Sequence, residues 1–229
     1  MNTVYIPDGK VKLGGELHVP PDANGIVLFA HGSGSSRFSP RNTYVANVLQ
    51  QQNMGTLLFD LLTPEEDQDY SARFDIALLA HRLVSATNWL ENETTLQLGY
   101  FGASTGAAAA LLAAASMNGD IAAIVSRGGR PDLAGELALS RVKSPTLLIV
   151  GSLDDTVIEL NREAYAQLNC EKQMILIPGA THLFEEPGTL EQAAKNAAAW
   201  FSSHFNANPG QGEVSIPFIL HGHGTSQTE

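Results

Sequence analysis

One short segment of the sequence combines a serine with the glycine spacing that exposes a nucleophile. Residues 98–106 read LGYFGASTG, an apolar run that ends in Gly-x-Ser-x-Gly, and an alanine-rich helical stretch (107–115) follows at once. A serine on a sharp strand-to-helix turn has a strained backbone and presents its hydroxyl above the sheet. Strand and helix pass so closely there that only very small residues fit, here Gly102 and Gly106. The spacing therefore predicts that Ser104 is the nucleophile of an acyl-transfer site.

A base and an acid for this serine follow two later apolar runs. A neutral hydroxyl needs a base, and the base needs an acid that orients it. His182 follows the last run, and Asp154 and Asp155 follow the run before it, in the chain order serine, acid, histidine. Asp155 abuts a capping box for the next helix, which Thr156 and Glu159 form. We therefore favour Asp154, which comes first after the strand. The predicted catalytic residues are Ser104, Asp154 and His182.

The backbone near the predicted nucleophile offers donors for the negative charge that develops on a reacting carbonyl oxygen. Such an oxyanion hole needs two N–H groups aimed at that oxygen. Thr105, the residue after the nucleophile, supplies one. The glycine-rich segment 31–36 (HGSGSS) lets its backbone approach a substrate closely, and Ser33 is our candidate for the other donor. We expect His31 to brace this segment rather than to take part in the chemistry.

Three arginines near the predicted site are candidates for binding a substrate carboxylate. Arg127 and Arg130 follow the apolar run 121–126, and Arg37 follows the glycine-rich segment. A guanidinium group binds a carboxylate through two parallel hydrogen bonds. The alternative for Arg127 and Arg130 is that they pair with local acids such as Asp132 or cap the loop. If an arginine does contact the substrate, anionic esters should be preferred over neutral esters of equal size.

The hydrophobic pattern predicts the elements that position these residues. Short, nearly continuous apolar runs alternate with helical patterns, as parallel strands covered on both faces require. The predicted strands span residues 25–30, 55–60, 96–101, 121–126, 146–151 and 173–178. The first twenty residues instead predict an antiparallel hairpin. The predicted fold is an α/β fold with a mostly parallel sheet, helices on both faces and the candidate site at the carboxyl ends of the strands.

Several segments resemble the α/β-hydrolase superfamily and, within it, the small dienelactone-hydrolase-like group. The resemblance covers about residues 3–206 and rests on FAHGSGSSRFSPRN, GYFGASTG, VSRGGRPDLA, GSLDD and PGATHLFEEPG. It implies an α/β-hydrolase fold and hydrolysis of carboxylic esters through an acyl-enzyme, without a metal or an organic cofactor. The dienelactone hydrolases proper carry cysteine at the nucleophile position, where this chain has Ser104.

The connections between the predicted strands are short. Residues 130–145 are too few to form a lid domain, and the other connections between strands are equally short. A site without a lid gives little shelter to a long acyl chain, so short or compact substrates are expected. We expect residues 1–206 to form a single domain. Residues 207–229 are expected to form a C-terminal tail that either packs as an extra strand or stays mobile.

Composition and charge restrict the partners of the chain. Its 229 residues carry a formal net charge of −11, which repels nucleic-acid backbones and anionic membrane surfaces. The single cysteine excludes an internal disulfide and a cysteine-rich zinc site. The first residues lack the pattern of a signal peptide, and no apolar run approaches the ~20 residues of a membrane span. We expect a cytoplasmic protein with a small-molecule substrate, and the sequence does not indicate its oligomeric state.

Two functions of different classes are compatible with this predicted site. The first is a serine hydrolase of small carboxylic esters or lactones, and thioester cleavage, acyl transfer and perhydrolysis would use the same residues. The second is a hydrolase-fold receptor for a small molecule, or an interaction protein, with little turnover. Such receptors usually carry a helical lid that rearranges on binding. Because no lid is predicted here, we favour the hydrolase.

Overall fold

Eight strands form one sheet in the structure, a computed structural model that describes residues 2–117 and 120–205. The strands are β1 (Asn2–Asp8), β2 (Val11–His18), β3 (Ile26–Ala30), β4 (Gly55–Phe59), β5 (Leu98–Ala103), β6 (Ile121–Arg127), β7 (Thr146–Gly151) and β8 (Lys172–Ile177). The α-helices are α1 (Pro40–Gln50), α2 (Ile76–Glu91), α3 (Thr105–Ser116), α4 (Glu136–Arg141), α5 (Asp155–Gln167) and α6 (Thr189–His204). The strand order in the sheet is β1-β2-β4-β3-β5-β6-β7-β8.

The sheet is parallel except at its amino-terminal edge. The hairpin β1–β2 is antiparallel, and β2 also pairs antiparallel with β4, whereas β4, β3, β5, β6, β7 and β8 run parallel. The carboxyl ends of the parallel strands therefore meet at one edge. The predicted α/β fold, its mostly parallel sheet and its hairpin are confirmed, and the six predicted later strands differ from the observed ones by at most two residues at either end.

Helices cover both faces of the sheet and create two apolar cores. Helices α2 and α3 pack over one face, in the core that contains Tyr100 of β5. Helices α1 and α6 pack over the other face, in the core that contains Phe101. All six residues of β5 are buried. Because β5 is packed on both faces, its carboxyl end has a fixed position in the sheet. Ser104, which directly follows β5, is therefore also fixed in position.

The first residues of α1 and α5 differ in how the helix N-terminus is capped. Helix α1 begins at Pro40, and the Ser39 hydroxyl accepts a hydrogen bond from the backbone N–H of Asn42, as an N-cap does. Helix α5 begins at Asp155 with Asp154 as its N-cap, so the predicted capping box, which placed the N-cap at Thr156, is wrong by two residues. Asp154 occupies the N-cap position but makes no capping hydrogen bond, because its carboxylate contacts His182 instead.

Two observations concern parts of the chain away from the sheet. Among the helices of the described residues, none has the length and the apolar character needed to cross a membrane. The predicted C-terminal tail, residues 207–229, lies outside the described residues, so its expected packing stays a prediction.

Candidate active site

Ser104 lies at the tip of a sharp turn between β5 and α3. Its backbone angles are φ 51° and ψ −122°, a conformation that non-glycine residues rarely adopt. The neighbouring glycines make this turn possible. A Cβ atom at Gly102 would overlap Ala107, and one at Gly106 would overlap the carbonyl oxygen of Ala30. The close passage of strand and helix thus accounts for the glycine spacing in the sequence.

The backbone of Ser104 is held by the segment that follows β6. The Ser104 N–H donates to the carbonyl oxygen of Arg127 at 3.4 Å, and the Arg130 N–H donates to the carbonyl oxygen of Ser104 at 3.0 Å. On the other side, a Cβ at Gly32 would lie 3.0 Å from the Cβ of Ser104. The serine is therefore enclosed between the glycine-rich segment after β3 and the loop after β6.

His182 and Asp154 form a hydrogen-bonded pair at the same sheet edge. The Nδ1 atom of His182 lies 2.7 Å from Oδ2 of Asp154. Because an ionised carboxylate can only accept, Nδ1 carries the proton and Nε2 is left to act as a base. The N-terminal position of Asp154 on α5 favours its negative charge. The other candidate acid, Asp155, is exposed on the first turn of that helix.

The loop that carries His182 is fixed by its own side chains. The backbone N–H and the hydroxyl of Thr181 donate to the carboxylate of Glu186, at 3.0 and 2.6 Å. These hydrogen bonds hold the pKa of Glu186 below its ordinary value. Phe184 is buried with φ 55°, a second strained residue close to the site.

The histidine lies against the segment that also holds the serine. A Cβ at Gly128 would lie 3.0 Å from the carbonyl oxygen of His182 and 3.8 Å from its Cε1 atom. Within the described residues the hydroxyl of Ser104 makes no hydrogen bond to the imidazole. Such contacts are often long in unliganded enzymes and tighten when a substrate binds.

The predicted oxyanion residues contact each other directly. The Ser33 N–H donates to the hydroxyl oxygen of Thr105 at 2.9 Å. Thr105 is buried at the first position of α3, and its N–H belongs to the helix end that has no intrahelical acceptor. The sequence pattern indicated only the backbone of Thr105. Its side chain was missed, although a hydroxyl residue directly after the nucleophile was the available signal.

His31 braces the glycine-rich segment in the structure. Its Nε2 accepts the N–H of Leu61 at 3.0 Å, so the proton lies on Nδ1, which donates to the carbonyl oxygen of Gly32 at 3.0 Å. Burial of the ring lowers the pKa of His31 below its ordinary value. A neutral imidazole with both nitrogens used in this way fixes the loop that carries Ser33.

Two of the three arginines proposed for substrate binding pair with acids. Arg130 forms two hydrogen bonds with Asp132, at 2.9 and 2.7 Å. Arg37 forms an ion pair with Asp60. For Arg130 the structure therefore has the alternative that the sequence left open, a pairing with Asp132, and Arg37 pairs with an acid that the sequence did not indicate.

Arg127 differs from them because it is buried and has no carboxylate partner within the described residues. It is only 7% exposed, its Nη2 lies 3.5 Å from Oδ1 of Asn42, and its guanidinium carbon lies 5.6 Å from the centre of the Phe184 ring. Its Nε and Nη1 atoms are buried without a hydrogen bond. Burial, and secondarily the charge of Arg41, lower the pKa of Arg127 to about 10.

These residues together could carry out acyl transfer. One sheet edge carries a serine on a strained turn and a histidine oriented by an acid. The N-terminus of α3 adds N–H donors at the same edge. In the part of the chain that the structure describes, no group of three or more His, Cys, Asp or Glu side chains could hold a metal ion.

Comparisons with known proteins give a close structural relative. No protein-family model matches the sequence. The crystal structure of a dienelactone hydrolase from Anabaena variabilis is 55% identical, with a TM-score of 0.86 over 90% of this chain and 98% of that chain. Est1E from Butyrivibrio proteoclasticus has a TM-score of 0.77 at 15% identity, over 89% of this chain and 99% of that chain. This second similarity shows the fold alone.

Two curated sequences from Mycobacterium tuberculosis strains are also similar. Both are named "Putative phosphoribosyl transferase" and are 56% identical over 204 residues, which make up 88% of this chain and 46% of theirs. This chain therefore spans about half the length of these relatives. The dienelactone hydrolase, in contrast, matches along almost its whole length, and this similarity supports a hydrolase. The chain belongs to the dienelactone-hydrolase-like family of α/β hydrolases.

Proposed function

We propose that this protein is a serine hydrolase that cleaves small carboxylic esters or lactones through an acyl-enzyme. One observation carries the proposal: the strained Ser104 at the end of β5 shares a sheet edge with the His182–Asp154 pair, whose atoms are 2.7 Å apart. The family supports it, since a structure of 55% identity is a dienelactone hydrolase.

The first half of the reaction forms the acyl-enzyme. The hydroxyl oxygen of Ser104 attacks the carbonyl carbon of the substrate, and Nε2 of His182 takes the hydroxyl proton. Asp154 accepts the Nδ1 proton of the imidazole and stabilises the imidazolium that forms. The tetrahedral intermediate then collapses, the bond to the leaving oxygen breaks, and His182 returns the proton to that oxygen.

The second half releases the acid. A water molecule gives a proton to Nε2 of His182 and attacks the acyl carbon, and the proton then returns to Ser104. The negative oxygen of each tetrahedral intermediate lies over the N-terminus of α3, where the backbone N–H group of Thr105 acts as a donor.

An open, partly apolar rim favours small substrates. Leu153 and Leu183 flank Asp154 and His182 in sequence and are 63% and 41% exposed. Between β6 and β7 the chain forms only a 3₁₀ turn and the six-residue helix α4. A compact acyl group can contact such a rim, whereas a long chain would remain in water.

Arg127 is our candidate for selecting anionic substrates. Among the three arginines considered from the sequence, it alone has no carboxylate partner within the described residues, and its Nε and Nη1 atoms make no hydrogen bond there. A substrate carboxylate would supply the missing negative charge. We expect a half-ester of a dicarboxylic acid to have a lower KM than a neutral ester of equal size, and Arg127→Met to remove this difference. An unchanged difference in the variant would exclude this role.

Labelling with a fluorophosphonate tests the proposed function. The intact mass of the parent should rise by one adduct, Ser104→Ala should gain none, and ester turnover in this variant should fall by several orders of magnitude. Ser152→Ala is a matched control, because this serine follows β7 and its hydroxyl accepts the N–H of Gly179. Ester turnover retained in Ser104→Ala would refute the proposal. A parent without adduct or turnover would favour the receptor.

The name of the curated relatives points to another chemistry. The matched region makes up 46% of their length. The similarity therefore does not indicate that this region is the part named for phosphoribosyl transfer. We propose no such activity for this chain, because the residues assembled at the sheet edge are those of acyl transfer.

A further inference from the structure

We propose that the side-chain hydroxyl of Thr105 is itself an oxyanion donor, and that the Ser33 N–H acts through it. This inference rests on the proposed serine hydrolase mechanism and specifies how its oxyanion hole is built. It changes the role of Ser33 from a direct donor to a group that polarises its neighbour.

The first observation is that the Ser33 N–H is already engaged. It donates to Oγ1 of Thr105 at 2.9 Å, a normal length for a hydrogen bond from an amide. An amide has a single proton, so this N–H does not also point at a substrate oxygen. The neighbouring loop is held in place by His31, which accepts the N–H of Leu61 and donates to Gly32. The Ser33 amide therefore has a fixed direction.

The second observation concerns the proton of the Thr105 hydroxyl. The oxygen accepts from Ser33, but within residues 2–117 and 120–205 the hydroxyl donates to no acceptor. Thr105 is 3% exposed, so bulk water does not easily satisfy it. A buried hydroxyl without an acceptor is costly, and buried polar groups normally have partners. The position next to Ser104 suggests which partner is missing: the negative oxygen of the tetrahedral intermediate.

The two observations combine into a polarised chain of donors. A hydroxyl that accepts a hydrogen bond becomes a stronger donor, because successive hydrogen bonds polarise one another. The chain runs from the Ser33 N–H to Oγ1 of Thr105, and from the Oγ1 proton to the oxyanion. The backbone N–H of Thr105 points out of the same helix end. Thr105 thus supplies two donors, and no covalent step is added to the mechanism.

Variants at Thr105 separate the hydroxyl from the shape of the side chain. Thr105→Val keeps the shape and removes the hydroxyl, and Thr105→Ser keeps the hydroxyl. With p-nitrophenyl acetate, we expect kcat of the valine variant to fall by about 10²-fold, as for loss of one oxyanion donor, with KM within threefold. The serine variant should keep at least one tenth of kcat. Thr105→Ala replaces the valine variant if that protein does not fold.

A transition-state analogue and a control variant exclude a purely structural role. Phenylboronic acid forms a tetrahedral adduct with an active serine, and its affinity should fall in parallel with kcat/KM in Thr105→Val. Thr146→Val removes another buried threonine hydroxyl, at the opposite end of the sheet. It should leave kcat and the affinity for phenylboronic acid within threefold of the parent.

Three results would overturn the inference. The first is a loss of less than tenfold in kcat for Thr105→Val, and the second is an increase, which would mean that the hydroxyl only blocks the Ser33 N–H. The third is an equal loss in Thr105→Ser. Failure of the whole mechanism is distinguishable, because Ser104→Ala would then retain turnover.

Discussion

Replacing the buried Arg127 by methionine should make the protein more stable, whereas most substitutions of buried residues destabilise. Burial lowers the pKa of Arg127 from its ordinary value to about 10. This difference corresponds to about 3 kcal/mol of unfavourable free energy for keeping the guanidinium charged in the folded protein. Since the folded-state pKa lies below the unfolded one, the penalty is complete below about pH 10 and is relieved only as the pH rises above that value toward the ordinary pKa of arginine.

Weaker interactions of Arg127 offset part of this penalty. The contact with the Phe184 ring is 5.6 Å long, close to the limit of about 6 Å for a cation–π interaction, and we assign it only about 0.5–1 kcal/mol. The 3.5 Å contact with Asn42 is at the limit of a hydrogen bond and contributes about as much at most. Methionine has a similar volume and fills the space left by the arginine. We therefore expect the free energy of unfolding to rise by about 1–2 kcal/mol. For a domain of this size the melting temperature should rise by about 3–6 °C.

The assay is urea unfolding at pH 7.5 for the parent, Arg127→Met and a matched control. Arg82 is equally buried, at 6% exposure, but forms ion pairs with Asp8 and Glu66. Arg82→Met removes the guanidinium partner of both carboxylates and should destabilise by about 3 kcal/mol. A higher free energy of unfolding for Arg127→Met and a lower one for Arg82→Met would support the reasoning. If Arg127→Met destabilised the protein by 1 kcal/mol or more, Arg127 would be a structural residue and the reasoning would be wrong.

Two further predictions concern the acid and the loop histidine. Asp154→Asn should lower kcat by about 10⁴-fold in steady-state assays, because an amide no longer fixes the His182 tautomer, and loss of less than tenfold would exclude this role. His31 is neutral in the folded protein and its pKa is lowered, so the free energy of unfolding should decrease as the pH falls below about 6.5, by up to about 1.4 kcal/mol per pH unit. Urea titrations between pH 7.5 and 5 should show a smaller decrease for His31→Gln, and identical decreases would contradict this assignment.

The strands and the serine turn were predictable because local sequence determines them. A parallel strand buried on both faces must be apolar along its length, as β5 and β7 are. The turn at Ser104 requires glycines at 102 and 106 because neighbouring backbone leaves no room for a Cβ. Such steric requirements act over a few residues, and the sequence therefore displays them directly.

The partners of the charged side chains were not predictable, because they depend on contacts far apart in sequence. Arg37 meets Asp60 across 23 positions, and Arg82 meets Asp8 across 74. The same limit applies to Ser33, whose N–H donates to a side chain 72 residues away. No local pattern distinguishes an arginine paired in this way from Arg127, which has no carboxylate partner in the described residues.

Unfavourable local features concentrate at the sheet edge where we place the reaction. The described residues contain three non-glycine residues with positive φ, and two of them, Ser104 and Phe184, border the site. The third is Asn53, a residue type that tolerates this conformation in turns. The unpaired charge of Arg127 lies beside Phe184. Folding alone gives no reason for strained backbone and a buried charge to occur at one sheet edge. The proposed site for an anionic ester gives such a reason, because substrate binding would compensate for the charge of Arg127.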